Sequence, residues 1–206
     1  DPLHPGVPGL DVSNQTPEGQ AHQFGYNCDF VAYFPLPQHR SMNPNAGLLA
    51  VNHESTDRTL MFPGFVGIPT PEQVNVELMA HGVSIVEVWR HAGREWNYEV
   101  ASSFNRRITG ETEIEITGPA AGHEWMQTTY DSTGTRVRGT LNNCAGGKTP
   151  WGTLLTCEEN MNVYFANRGA MSSSDPRKAI HARYGLPSGA TVRTWDVTTG
   201  VEQTRL

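Results

Sequence analysis

Glycine and proline recur so often along this chain that a bundle of long helices is excluded. The 206 residues contain 21 glycines and 14 prolines, and charged residues make up only 17% of the total, well below the usual quarter. Because glycine and proline both interrupt regular structure, we expect short strands joined by ordered loops. The net charge of −6 argues against a nucleic-acid-binding protein, which normally presents a basic face.

Runs rich in β-branched and aromatic residues alternate with turns after residue 23, which predicts a mainly β, antiparallel fold. The predicted strands span 30–34, 47–52, 83–89, 98–102, 113–117, 137–142 and 153–158. A turn over 131–135 favours a hairpin between its flanking strands. The proline-rich residues 1–23 predict an extended N-terminal arm, followed by one domain over 24–206.

Helix signals occur in two places only. Thr70, Pro71 and Gln73 form a capping box ahead of a segment that Gly82 ends, which predicts a helix over 71–81. A second helix is predicted over 176–184, between Pro176 and a closing glycine. Both are expected as short helical insertions in the β framework. No apolar run approaches the ~18 residues of a membrane span, and any export signal is expected to lie outside this sequence.

The segment 139–160 contains the densest set of chemically active side chains. Residues 146–149 do not form a phosphate-binding loop, because Asn142 stands where that motif needs its first glycine. Cys144 is expected in an irregular loop, either as a small buried apolar residue or as a thiolate ligand for iron. Cys157 lies in an alternating run and is expected in the core.

Two adjacent carboxylates, Glu158 and Glu159, end the last predicted strand. They are hard oxygen donors that suit calcium, and the alternative is a solvated strand end. A hairpin between 137–143 and 151–158 would place Cys144 about 23 Å from Glu158. A site shared by the two residues therefore requires 144–150 to cross toward another strand.

A third candidate region is the predicted strand over 47–52, which ends next to His53 and Glu54. His53 is interpreted either as a ligand or acid–base group or as a hydrogen-bonded structural residue. The chain contains no Gly-x-Ser-x-Gly and no His-Glu-x-x-His motif, so the common serine-hydrolase and zinc-protease hypotheses have little support.

Five runs of the sequence, in the same order, resemble PhoX-type alkaline phosphatases. They are GYNCDF (25–30), VNHE (51–54), RRIT (106–109), TGPAAGH (117–123) and the block 139–160. The resemblance implies an exported, monomeric phosphomonoesterase on a β-propeller. It also implies calcium ions and an oxo-bridged iron pair as cofactors, small-molecule phosphoesters as substrates, and twin-arginine export to the periplasm.

The same resemblance assigns the metal ligands. Cys144 matches a thiolate iron ligand, whereas Glu54, Glu158 and Glu159 match carboxylates at the metal cluster, and Glu159 is favoured within the adjacent pair. Iron and calcium would act as Lewis acids, without a protein nucleophile. Members of the family are much longer than 206 residues. We therefore expect a partial propeller, corresponding to the N-terminal portion of the family, that is inactive alone.

Two other functions remain open from the residues themselves. One is a non-catalytic, calcium-stabilised propeller module that binds a ligand or partner. The other is a thiol-dependent hydrolase that uses Cys144 with His53. Bound iron distinguishes the phosphatase from the binding module, because a binding module has no use for a thiolate–iron site.

Overall fold

The fold is described from a computed structural model that covers residues 2–36, 45–91 and 93–198. Within these residues the chain forms two compact units. Over the described residues, the first unit draws on 2–36, 45–63, 76–91, 93–112 and 139–159, and the second on 64–75, 113–138 and 160–198. Both units are built from antiparallel strands and short helices, so the predicted mainly β fold is confirmed.

A five-stranded antiparallel sheet forms the centre of the first unit. Its strands are β1 (Cys28–Pro35), β2 (Ala46–His53), β3 (Gly82–Trp89), β4 (Asn97–Tyr98) and β5 (Arg106–Ile108). The first four lie in sequential order, and β5 also pairs with β3. The predicted strands over 30–34, 47–52 and 83–89 are therefore confirmed.

The strand predicted over 98–102 is wrong beyond its first residue. The backbone N–H of Ser102 donates to the carbonyl of Glu99 and closes a turn. The Ser102 hydroxyl donates to the buried carboxylate of Glu87 on β3. These contacts draw the segment into a loop against the sheet instead of extending β4.

Apolar side chains of the central strands form the core of this sheet. Ala50, Val83 and Ile85 are buried, and Leu48 and Ile108 pack against them. Because β2 lies between β1 and β3 with a continuous antiparallel register, its carboxyl end is held at a defined place. That end carries His53 and leads directly to Glu54.

A separate hairpin of the first unit consists of β8 (Asn143–Lys148) and β9 (Leu154–Glu158). The strand predicted over 137–142 is wrong beyond its first two residues, because a short strand over 136–138 ends there and β8 begins only at Asn143. Two contacts place β8 beside β1. The Phe30 ring lies against Gly146, and Lys148 Nζ donates to the Tyr33 carbonyl at 2.6 Å.

Four α-helices are present in the described residues. They are α1 (Pro17–Ala21), α2 (Arg58–Met61), α3 (Pro71–Ala80) and α4 (Arg177–Arg183). The helices predicted over 71–81 and 176–184 are confirmed as α3 and α4. The expectation of no other helix is wrong, because α1 and α2 each form about one turn.

Side chains at the helix starts explain the two unexpected turns. Thr16 accepts a hydrogen bond from the N–H of Gly19, and Asp57 accepts one from Thr59. The N-terminal arm is therefore not extended throughout, and the division into an arm over 1–23 and a domain over 24–206 stays a prediction. Among the helices that the structure describes, none has the length and apolar character to cross a membrane.

The second unit contains a small hairpin of β6 (Glu113–Glu115) and β7 (Arg136–Arg138). The Asp131 carboxylate accepts hydrogen bonds from the backbone of Thr133, Thr135 and Arg136. The predicted turn over 131–135 and its hairpin are confirmed, although β6 is shorter than the predicted 113–117.

Candidate metal centre

Three side chains of metal-ligand type meet in the first unit. Asp29 lies on β1, Glu54 follows β2 directly, and Cys144 lies on β8. One carboxylate oxygen of each acid and the Cys144 sulfur all lie within 4.8 Å of one another. Asp29 is exposed, whereas Glu54 and Cys144 are half-buried. The fold thus gathers two hard oxygen donors and one soft sulfur donor from three strands.

Cys144 interacts most strongly with Asp29. Its thiol donates a hydrogen bond to Asp29 Oδ2 at 2.9 Å. This bond, partial loss of solvent, and the negative charges of Asp29, Glu159 and Glu54 together raise the pKa of the Cys144 thiol to about 12. The thiol is therefore protonated here, and a bound cation would favour the thiolate by offsetting the surrounding negative charge.

The hairpin β8–β9 brings Cys144 close to the carboxylate pair. Asn143 lies opposite Glu158, and the register shifts between Asn143 and Gly146. The sequence pattern predicted that a hairpin would separate Cys144 from Glu158, and both assumptions about that hairpin were wrong. The hairpin forms further along the chain than predicted, and Cys144 lies near its open end instead of at its turn.

The two adjacent glutamates have different surroundings. Glu158 Oε1 accepts hydrogen bonds from the Thr140 hydroxyl and the Leu141 N–H, both at 2.7 Å. Glu159 donates its backbone N–H to the Asn142 carbonyl, and its charge acts on the Cys144 thiol. The structure therefore groups Glu54 with Cys144, places Glu159 within electrostatic reach, and engages Glu158 with the main chain before β8.

Asp29 was missed by sequence reasoning. It lies in the run GYNCDF that carried the family resemblance, but nothing in its local pattern separates it from an ordinary exposed strand carboxylate. Only the packing of β8 beside β1 brings it to Cys144. The available signal was its presence in a shared motif, immediately after Cys28.

His53 is a structural residue in this fold. Its Nδ1 faces the Tyr26 carbonyl at 3.2 Å, and its Nε2 contacts the Ser84 hydroxyl at 2.6 Å and accepts from the Gly25 N–H. Burial, followed by the charge of Arg107, lowers the pKa of His53 to about 3. Both ring nitrogens of His53 thus form hydrogen bonds within the fold.

The geometry argues against a thiol-dependent hydrolase. Such an enzyme needs a thiolate activated by an adjacent base, whereas the Cys144 thiol bonds to Asp29 and His53 is engaged elsewhere. The three cysteines are free, and Cys157 is exposed, so its predicted core position is wrong.

Comparisons with known proteins agree with these motifs. A search of curated proteins finds no match. The family described as Alkaline phosphatase PhoX matches residues 1–205. The chain is also similar to a solved structure, Pseudomonas fluorescens PhoX in complex with vanadate, a transition state analogue.

The similarity to that structure has 39% sequence identity and a TM-score of 0.85. It covers 96% of this chain and 33% of the Pseudomonas chain, so the present chain spans about a third of that relative's length. The match over nearly all residues, together with the shared fold, shows the family. The chain belongs to the alkaline phosphatase PhoX family.

Proposed function

We propose that this chain supplies part of the metal centre of a phosphomonoesterase that releases phosphate from small-molecule phosphoesters. One observation carries the proposal: Asp29, Glu54 and Cys144 present three ligand atoms within 4.8 Å in a chain of the PhoX family. Vanadate binding by the Pseudomonas relative supports a phosphoryl group as the ligand of the complete centre.

The donor set fits the proposed metals. A thiolate selects a transition metal such as iron, while carboxylate oxygens are the preferred ligands of calcium. The pKa of Cys144 is raised first by the hydrogen bond to Asp29 and then, after partial loss of solvent, by nearby negative charges, and these negative charges also favour a bound cation. Cys144 would hold iron, and Asp29, Glu54 and Glu159 would supply carboxylate oxygens to the metal ions of the centre.

The chain's own residues would hold and orient the centre. Bound metal ions would supply Lewis-acid polarisation of the phosphoryl oxygens. Asp29 and Glu54 would fix the positions of the ions, and Cys144 would exchange its proton for a metal. Because calcium alone takes 6–8 oxygen ligands, three clustered side chains do not complete the centre. We therefore propose that this chain alone does not turn over phosphoesters.

Two cysteine variants of the full-length protein test this function. Cys144→Ser removes the sulfur ligand, and Cys157→Ser removes an exposed thiol from the same hairpin. Loss of a partner outside the ligand set typically costs 10–100-fold in metal affinity, so loss of a ligand should cost about 100-fold or more. Elemental analysis and p-nitrophenyl phosphate turnover should show loss of iron and activity in Cys144→Ser only.

Equal iron content in wild type and Cys144→Ser would contradict the thiolate–iron assignment. Full turnover of p-nitrophenyl phosphate by the 206-residue chain would contradict its proposed inactivity. An iron-free full-length protein that binds calcium but lacks turnover would instead support the non-catalytic binding module.

Calcium dependence provides a second test. Chelation of calcium should abolish phosphatase activity of the full-length protein, and zinc should not restore it, because zinc prefers four-coordinate nitrogen and sulfur sites. Restoration by zinc alone would contradict the proposed cofactors.

We further propose that β1–β4 form one blade of a β-propeller in the complete protein. Four sequential antiparallel strands are the arrangement found in propeller blades. Export in the folded state by the twin-arginine route fits a centre whose ligands are 115 residues apart. We expect the full-length protein as a periplasmic monomer, which fractionation and sedimentation would test.

A further inference from the structure

An asparagine stands two residues before each clustered ligand. The pairs are Asn27 with Asp29, Asn52 with Glu54, and Asn142 with Cys144. The three pairs lie on different strands or strand ends, so the repetition does not come from one local motif. In each pair, the asparagine contacts the main chain beside a ligand that belongs to another pair.

Asn52 holds the main chain of the cysteine ligand. Its Nδ2 donates to the carbonyl of Cys144 at 2.8 Å and to that of Ala145 at 3.4 Å. Its Oδ1 accepts from the Thr156 hydroxyl on β9. Because Asn52 is only 1% exposed, water does not readily replace these bonds.

Asn142 makes the reciprocal contact. Its Nδ2 donates to the carbonyl of Glu54 at 3.1 Å, and its own carbonyl accepts from the Glu159 N–H at 3.1 Å. The residue has a φ of 52°, in the left-handed region that asparagine tolerates better than most residues. One buried residue therefore holds the backbone of two carboxylates.

Asn27, immediately before β1, completes the set. Its carbonyl accepts from the Glu54 N–H at 3.0 Å, and its Nδ2 donates to the Ser55 carbonyl at 2.8 Å. Its φ of 44° is also in the left-handed region. Asn27 and Asn142 therefore hold Glu54 from both its N–H and its carbonyl.

We propose that Asn27, Asn52 and Asn142 are positioning residues that interlock the three ligand-bearing segments and preorganise the metal centre. The inference rests on the proposed function, because it assumes that the clustered side chains bind metal. Ligands held in place by their surroundings bind metal without the cost of ordering them. The asparagines act through the ligand backbones and need no contact with the metal.

Cobalt(II) titration of the metal-free full-length protein tests this role. The thiolate-to-cobalt charge-transfer absorption reports directly on Cys144, and the titration gives an apparent Kd. We expect Asn52→Ala and Asn142→Gly to raise that Kd by about 10–100-fold and to alter the charge-transfer absorption. Asn142→Gly is the more secure variant, because glycine accepts the left-handed backbone.

Two control variants separate positioning from general stability. Asn105→Ala removes an amide that is 4% exposed and bonded to Leu3, Glu87 and Glu99. Asn167→Gly changes an exposed left-handed asparagine whose φ is 63°. Both should leave the cobalt Kd and the absorption unchanged, even where thermal stability falls.

The outcomes distinguish this inference from the proposed function. Wild-type Kd and absorption in folded Asn52→Ala and Asn142→Gly would overturn the positioning role alone. If the absorption of the full-length wild type equals that of Cys144→Ser, the absorption does not depend on Cys144, and both the proposed centre and this inference would be overturned. Equal losses in the Asn105→Ala control would assign the effect to stability and overturn the inference.

Discussion

The protonation state of His53 follows from its hydrogen-bond partners. The Tyr26 carbonyl can only accept, so Nδ1 must carry the proton, and the Gly25 N–H requires Nε2 to be an acceptor. Ser84 accepts from the Arg107 guanidinium and can therefore donate its own proton to Nε2. A second proton on the ring has no place, which agrees with the lowered pKa of His53.

This lowered pKa predicts a loss of stability in acid. Above pH 6.5, the usual pKa of histidine, His53 is neutral in both the folded and unfolded states. Below that value His53 is protonated in the unfolded chain but stays neutral in the folded chain, so stability falls with decreasing pH until about pH 3. At pH 5 this effect lowers the free energy of unfolding by about 2 kcal/mol relative to neutral pH.

Urea unfolding of wild type and His53→Gln between pH 7.5 and 5 measures this contribution. As the pH is lowered, the free energy of unfolding should fall less steeply for His53→Gln than for wild type, whatever the stability of the variant at pH 7.5. His22→Gln changes an exposed histidine and serves as the control. Parallel pH profiles for wild type and His53→Gln would contradict the assignment.

At the scale of elements, local composition predicted the central strands and failed for β8. The strands β1 and β3 are rich in valine, isoleucine and aromatic residues, which favour pleated, half-buried surfaces, and β2 contains a continuous apolar run of leucine, alanine and valine. The β8 sequence NCAGGK has no such residue. Its conformation depends on pairing with β9 and on contacts with β1, which no local pattern specifies.

The candidate site was also predictable only in part from the sequence. Glu54 follows a strongly apolar strand, and Cys144 lies in a distinctive motif, so both could be selected from the sequence. Asp29 and the role of Asn52 depend on contacts across long sequence separations. They required the placement of β8 beside β1.

Glycine at position 146 should be required for that placement. A Cβ there would overlap the Phe30 ring, whereas a Cβ at Gly147 has no described atom within 4 Å. Overpacking of this kind typically costs 1–3 kcal/mol. We expect Gly146→Ala to lower the free energy of unfolding by about 2 kcal/mol and to weaken cobalt binding. Chemical denaturation should show no such loss for Gly147→Ala.

A half-buried arginine, Arg107, links β5 to the end of α3. Arg107 donates to the carbonyls of Met79 and His81 at 2.7 and 2.8 Å, where a helix C-terminus favours a cation. Because hydrogen bonds with charged groups contribute about 1.5–3 kcal/mol each, Arg107→Met should destabilise the fold by about 3 kcal/mol.

The neighbouring arginine provides a matched control. Arg106 is exposed and donates to the nearby Phe104 carbonyl, so Arg106→Met should change stability by less than about 0.5 kcal/mol. Thermal or urea unfolding of both variants measures the difference. Equal destabilisation would show that the helix-end contacts of Arg107 have no special role.

At the scale of the whole molecule, large apolar side chains remain on the surface of each unit. Trp151 is 80% exposed and Leu155 is 57% exposed on the β8–β9 hairpin, while Val66 and Val192 in the second unit are more than 80% exposed. Exposed apolar groups that lie close together are typical of surfaces that contact other protein. The exposed Trp151 and Leu155 side chains give the β8–β9 hairpin an accessible apolar surface.

The isolated chain should therefore bind a hydrophobic dye such as anilinonaphthalene sulfonate. The double variant Trp151→Ser, Leu155→Ser should reduce dye fluorescence while keeping the wild-type far-ultraviolet circular dichroism. If wild type and the double variant gave equal dye fluorescence, the hairpin would offer no apolar binding surface.

The distance along the chain between Asp29 and Cys144 has a thermodynamic consequence. The two residues are 115 positions apart, so a cation held by both would cross-link the chain around a very long loop. By the chain-entropy estimate used for disulfides, closing a loop of that size in the unfolded chain costs about 4 to 5 kcal/mol, so only the folded chain presents the two ligands together. A metal that binds the folded chain and not the unfolded one would raise the free energy of unfolding, and a chelator would act on the protein as a denaturant.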